Sequence, residues 1–247
     1  MEPITFGIII PARYASTRFP GKPLTLIAGK PMILRTVEAA LRCLPTAGVA
    51  VATDDERIAE VVRHLVPVVM THVDHQTGTD RIAEALTQLE WDCEVVINIQ
   101  GDEPFINPKQ IQELVSCFHS PSTDIATLKK QMGPLEELNN HNIVKVVTDK
   151  SGRALYFSRS VIPYNRGNTN IPYYRHIGTY AYRGKLLKRL TQLSNTILED
   201  TEMLEQLRWL DYGYMIKVVE TDYEGPAVDT PEDIRIAENY LLQNAID

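Results

Sequence analysis

Apolar residues recur along this chain in two alternating rhythms. Short unbroken runs alternate with stretches in which apolar residues return every three or four positions. Ile8-Ile9-Ile10 is the first run and reads as a buried strand. Ile33, Val37, Leu41 and Leu44 follow at helical spacing. Residues 48–52 read as a second strand. Thr53-Asp54-Asp55-Glu56 then has the form of a capping box, ahead of the stripe Ile58, Val61, Val62 and Leu65. Residues 67–70 read as a short third strand, 72–78 as a polar loop, and Ile82, Leu86 and Leu89 as the stripe of the next helix. The fourth strand, 94–99, is nearly all Val and Ile, which suits the middle of a parallel sheet. Asn107-Pro108 supplies an N-cap and first-turn pair ahead of Ile111, Leu114, Val115 and Phe118. Repeated βα units predict an α/β fold, a mostly parallel open sheet flanked by helices.

The second half is less regular. Residues 143–148 and 154–158 read as strands around the turn Asp149-Lys150-Ser151-Gly152. Residues 165–174 are polar and rich in Asn, an exposed excursion. Residues 177–182 predict a strand, 184–193 a helix, 200–212 a second helix and 214–220 another strand. Thr230-Pro231-Glu232-Asp233 opens the last helix with a second capping-box pattern. On the helix at 200–212, Glu202, Glu205, Gln206 and Trp209 fall on one face and Met203, Leu207 and Leu210 on the other. With no repeat or linker in sight, the expectation is one globular domain over 1–247 with a small embedded lobe near 160–195.

Charge alters this picture at one place. The chain carries 25 Lys+Arg against 32 Asp+Glu, a net charge of -7. Residues 1–35 run the other way, with Arg13, Arg18, Lys22, Lys30 and Arg35 against Glu2 alone. Three of these cations lie in the loop after the first strand, punctuated by Pro11, Pro20, Gly21 and Pro23. A small anion beyond the carboxyl end of a strand is the natural partner of such a loop. No long basic stripe tracks a nucleic-acid backbone, and no apolar stretch reaches membrane-spanning length. The N-terminus has no basic leader, so a cytoplasmic location is expected. Cys43, Cys93 and Cys117 stand apart, with neither disulfide nor zinc spacing. The signatures of P-loop kinases, dinucleotide oxidoreductases and nucleophile-elbow hydrolases are all missing.

Two acids are candidates for metal chemistry. Asp102 follows the fourth strand in Gln100-Gly101-Asp102-Glu103-Pro104. It offers hard oxygen to Mg²⁺, or it caps a turn with Gly101. Asp229 precedes the last helix, where it would bind a metal or complement the helix dipole. Arg81 lies near a helix start, where a cation opposes the dipole, so it is either directed at an anion or base or is a surface arginine. Arg159 lies at a strand end. His176 and Tyr180 share one face of a strand by the two-residue period.

The opening pattern Pro11-Ala12-Arg13, Ser16, Arg18, Pro20, Lys22-Pro23-Leu24 resembles the first motif of sugar nucleotidyltransferases that use CTP, and most closely the 3-deoxy-D-manno-octulosonate (Kdo) cytidylyltransferases. Asn98 to Pro104 resembles the second motif, Val228 to Asp233 the last, and His75 to Arg81 a third, with Thr77 where the family usually has Ser. Tyr156 to Pro163, Arg175 to Arg183 and Glu202 to Arg208 are similar to the acceptor-sugar half.

The resemblance implies a Rossmann-like nucleotidyltransferase fold whose embedded lobe serves dimerisation. It implies transfer of CMP from CTP to Kdo for lipopolysaccharide synthesis, in a homodimer. Pro11, Ala12, Arg13, Ser16, Arg18, Lys22, Arg81, Gln100 and Asp102 would hold the nucleotide, and Asp102 and Asp229 would hold Mg²⁺. Arg159, His176, Tyr180, Glu205, Gln206 and Asp229 would hold the sugar acid. Arg13, Lys22, Asp102 and Asp229 would carry catalysis by positioning and charge. An amino-substituted octulosonate as acceptor, or a nucleotide-binding relative without catalysis, are the alternatives.

Overall fold

The computed structural model describes residues 3–15, 19–133, 138–228 and 230–244. The chain forms two compact units, residues 1–112 with 223–247 and residues 113–222. The stretch 160–195 falls inside the second.

The first unit contains β1 (Phe6–Ala12), β2 (Leu26–Ile27), β3 (Lys30–Pro31), α1 (Met32–Leu41), β4 (Gly48–Thr53), α2 (Glu56–Val62), β5 (Val68–Met70), α3 (Gly78–Leu89) and β6 (Val95–Asn98). Helix α4 (Pro108–Ser116) follows β6 in the chain, and α8 (Asp233–Asn244) closes the chain. Its main sheet runs β6-β1-β4-β5 with every pairing parallel. Central strand β1 has neighbours on both sides and both faces covered, so Ile8, Ile9 and Ile10 are all 0% exposed. Because the strands are parallel, β1, β4 and β6 release their chains at the same edge.

The second unit holds β7 (Ile125–Gln131), β8 (Lys145–Thr148), β9 (Ala154–Ser158), β10 (Tyr174–Arg183), α5 (Gly184–Leu190), α6 (Ile197–Glu202), α7 (Glu205–Asp211) and β11 (Ile216–Glu220). Strand β7 pairs antiparallel with β10 and parallel with β11, and β8 and β9 form a hairpin. Asp149 Oδ1 shapes the hairpin turn by accepting from Ser151 N and Arg153 N.

Several sequence expectations are corrected. Strand β7 was not anticipated, because Lys129 and Lys130 break its apolar alternation. The capping box expected at Thr53 is replaced by Asp55, whose carboxylate accepts from Arg57 N. Thr53 Oγ1 instead accepts from Asp55 N. The single helix over 200–212 is two helices, broken where Met203 takes φ 54° and Leu204 is extended. The break mixes the expected faces: Gln206 and Trp209 of one and Leu207 of the other are buried together, while Met203 is exposed. Leu44 and Leu65 lie beyond their helix ends and are exposed.

Candidate active site

A cavity of about 240 Å³ opens where β1 and β6 end. Its walls come from three segments: Pro11 to Arg13 with Lys22 and Pro23, His75 to Gly78 with Arg81, and Gln100 to Asp102. Two glycines let these segments meet. Gly21 has φ 71° and turns the basic loop into the short 3-10 turn Lys22–Leu24. Gly101 donates its N–H to Pro11 O at 3.3 Å, and a Cβ there would lie 3.1 Å from that oxygen. Thr77 caps α3, accepting from Asp80 N while Asp80 bonds back to Thr77 N.

Of the residues expected to hold the nucleotide, Pro11, Ala12, Arg13, Lys22, Arg81, Gln100 and Asp102 all line this cavity. Arg13 is exposed at its mouth. Ser16, Arg18 and Asp229 lie outside the described residues. Lys22 Nζ sits 2.5 Å from Asp102 Oδ2. Gln100 Nε2 donates to Asn98 Oδ1 at 3.2 Å, which orients its amide. Arg81 is buried rather than a surface arginine. It pairs through Nη2 with Asp54 Oδ2 at 2.9 Å and donates through Nη1 to Thr71 Oγ1. Its immediate anion is thus a protein carboxylate, which the sequence reading had not identified. The signal was available, since Asp54 directly follows β4, at the edge where ligands gather. His75 opens the motif that runs to Arg81. It lines the cavity with its Nε2 2.5 Å from Glu84 Oε2.

The residues expected at the sugar acid, apart from Asp229, lie in the second unit. His176 Nε2 is 2.9 Å from Thr127 Oγ1, and its ring lies against Phe157 and Tyr180. Burial pushes its pKa down to about 3, so the imidazole is neutral at pH 7. Tyr180 packs edge-on to Trp209, and burial raises its phenol well above the ordinary value. Among the described residues, no hydrogen-bond partner reaches the buried Tyr180 hydroxyl or Trp209 Nε1. Glu205 accepts from Arg208 at 2.8 Å, and Gln206 is buried. The Arg159 guanidinium donates to the carbonyls of Glu202 and His141.

None of these groups is an activated nucleophile. The three cysteines are buried, and burial lifts Cys43 to about 12 and Cys117 to about 11, so neither is a thiolate. The arrangement is suited to binding and charge stabilisation. Among the described residues, no cluster of three metal-ligating side chains exists. Asp102 nevertheless fits a cation: its carboxylate faces the cavity, and the Lys22 ammonium already lies against it.

Comparison with known proteins agrees with this geometry. The cytidylyltransferase family model matches residues 7–219. A 3-deoxy-manno-octulosonate cytidylyltransferase of Bacteroides thetaiotaomicron is 50% identical over 94% of this chain and 96% of its own length. An 8-amino-3,8-dideoxy-manno-octulosonate cytidylyltransferase of Shewanella halifaxensis is 49% identical over 95% of this chain and 97% of its own. A solved CMP:2-keto-3-deoxy-manno-octonic acid synthetase complexed with CTP superposes with a TM-score of 0.92 at 40% identity, covering 97% of this chain and 99% of that one.

Proposed function

The chain belongs to the cytidylyltransferase family, and from that premise we propose that it transfers CMP from CTP to the anomeric hydroxyl of Kdo. The products are CMP-Kdo, a precursor for lipopolysaccharide, and pyrophosphate. The anomeric oxygen forms a bond to the α-phosphorus, the bond from that phosphorus to the β-bridging oxygen breaks, and the hydroxyl proton is released. The observation that carries the reading is the cavity beyond β1 and β6, where Arg13, Lys22 and Arg81 surround a space next to the Asp102 carboxylate.

The residues have separable tasks in this proposal. Arg13 and Lys22 neutralise phosphate charge, which a triphosphate carries at about four units. Arg81, held by Asp54, and Gln100, held by Asn98, bind the cytidine portion. Preset donors of this kind cost little reorganisation when charge shifts during reaction. Asp102 and Asp229 would hold Mg²⁺, which when bound withdraws charge from the phosphates. Arg159 meets the sugar carboxylate. His176, Tyr180, Glu205 and Gln206 meet its hydroxyls, with neutral His176 acting as a hydrogen-bonding group rather than a charge.

We also propose a homodimer working in the cytoplasm. The exposed Leu155 and Tyr164 of the second unit support the dimer. No helix among the described residues is long and apolar enough to cross a membrane. Light scattering tests the dimer, since a monomer mass would remove it.

The catalytic test is pyrophosphate release with CTP and Mg²⁺, offering Kdo, 8-amino-3,8-dideoxy-manno-octulosonate and sialic acid in turn. Release with Kdo, well above the other two acceptors, is expected. A preference for the amino sugar would move the chain to that acceptor. Silence with all three, in protein that binds CTP, would leave a nucleotide-binding protein.

A further inference from the structure

Lys145 is 0% exposed. Lysine is almost never buried so completely without a partner. Its Nζ donates to three backbone carbonyls, those of Asn140 at 2.9 Å, Ile143 at 2.9 Å and Arg159 at 2.7 Å. An ammonium has three N–H donors, so every one is placed.

The three carbonyls belong to one device. Asn140 and Ile143 close a turn, with Ile143 N donating to Asn140 O at 3.1 Å. Inside that turn, His141 O accepts from Arg159 Nη1 at 3.1 Å. The third carbonyl is that of Arg159 itself. One ammonium therefore holds both the main chain of Arg159 and the turn to which its guanidinium is bonded. On the other side, Arg159 Nε donates to Glu202 O at 2.8 Å and Nη2 to Met203 O at 3.5 Å. The Glu202 carboxylate completes the frame, accepting from Ser158 Oγ at 2.5 Å and from Arg159 N at 2.9 Å. A guanidinium has five N–H donors in a rigid plane. With Nε and one donor on each terminal nitrogen taken up by carbonyls, the direction of the remaining donors is set.

We propose that Lys145 is a positioning residue for the acceptor site: it fixes the plane in which Arg159 offers its remaining N–H groups to the carboxylate of the sugar acid. This rests on the reading of Arg159 given above. Paired N–H contacts to a carboxylate depend on alignment, and small displacements of a binding group are costly in catalysis.

The test is a double-mutant cycle on the full chain, with Lys145→Met, Arg159→Ala and the double variant, measuring KM for Kdo and the dissociation constant of CTP. Lys145→Met is expected to raise KM for Kdo on the order of tenfold. CTP affinity should stay within about twofold, as for independent sites, because Lys145 does not line the nucleotide cavity. In the Arg159→Ala background, Lys145→Met should add little, because it acts through Arg159. A Lys145→Met effect that persists in full without Arg159, or equal losses for CTP and Kdo, would overturn the inference. An Arg159→Ala variant with unchanged KM for Kdo would overturn the reading of Arg159 itself. If Lys145→Met does not yield folded protein, Lys145→Arg keeps the charge but not the three-way spread of donors, and the same cycle applies.

Discussion

Lys22 Nζ lies 2.5 Å from Asp102 Oδ2, although the two residues are 80 positions apart in the chain. They meet because β1 and β6 are hydrogen-bonded neighbours that end at the same edge. Under the proposed reading, Lys22 would meet phosphate and Asp102 a metal ion, and nucleotide and metal would part the pair on binding. Lys22→Ala should reduce kcat on the order of 10²-fold, read as pyrophosphate release at saturating CTP. A change of only a few-fold would make the loop a scaffold.

Asp229→Asn should nearly abolish turnover, a loss on the order of 10²-fold or more, while the circular dichroism spectrum and unfolding midpoint stay at their wild-type values. Chelation of divalent metal should silence the wild type to the same depth, and added Mg²⁺ should restore it. Near-normal turnover in Asp229→Asn would remove that residue from the metal site.

Arg81 and Asp54 form a well-covered pair, with side chains 3% and 11% exposed. Removing one partner of such a pair leaves an uncompensated charge, so Asp54→Ala should cost about 3 kcal/mol in urea unfolding. CTP affinity should fall too, because Arg81 lines the cavity. Unchanged CTP affinity would confine the pair to a structural role.

His176 gives the fold a pH dependence of known sign. Its folded pKa, about 3, is below its ordinary value of 6.5, so the unfolded chain binds the extra proton between those values. Stability is complete above pH 6.5 and declines as pH falls towards 3, by at most about 1.4 kcal/mol per pH unit. Asp55 and Asp149 are held low by hydrogen bonds from Arg57 and Ser151, and they act only at lower pH. Glu84, pushed up by burial but lowered on balance from 4.5 by hydrogen bonds from His72 and His75, contributes mainly below pH 5. Between pH 6.5 and 5 the slope in urea unfolding is therefore weighted towards His176, and His176→Gln should flatten it there. An unchanged slope would mean the imidazole is freely protonated in the folded protein.

Gly225 passes so close to Phe105 that an added Cβ would lie 2.3 Å from the Phe105 Cβ. Phe105 packs with Val228 and Leu241 in a buried cluster, just before the chain reaches Asp229. Gly225→Ala should destabilise the protein by about 1–3 kcal/mol, as overpacking does, and lower kcat with it. A wild-type unfolding midpoint would show that the strap yields without cost.

Much of this protein is legible in its sequence. Unbroken Ile and Val runs between helical stripes specify a parallel sheet, because only strands covered on both faces can be apolar at every position. The basic loop at Arg13 and Lys22 and the acid at Asp102 could be placed at one edge from topology alone. Local signals failed where tertiary contacts outweighed them. The continuous stripe over 200–212 did not reveal the break at Met203, which ends α6 at φ 54° with its N–H donated to Glu199 O, while the next helix buries Leu207 and Trp209. Strand β7 was hidden by its lysines, whose environment is decided by neighbours. Lys129, for example, lies 3.9 Å over the Tyr174 ring.

What the sequence determined by itself was therefore the alternation of strands and helices in the first unit and the chemical types of group at the edge of its sheet, since both follow from local periodicity and chain connectivity. What only the tertiary structure decided was who partners whom. Arg81 meets Asp54 across 27 positions and Lys22 meets Asp102 across 80, while Lys145 gathers carbonyls 2, 5 and 14 positions away, and no periodic pattern foretells any of these. The physical reason is that charge and hydrogen bonding act through space, and a buried cation settles on whichever oxygens the packed strands bring within about 3 Å of it.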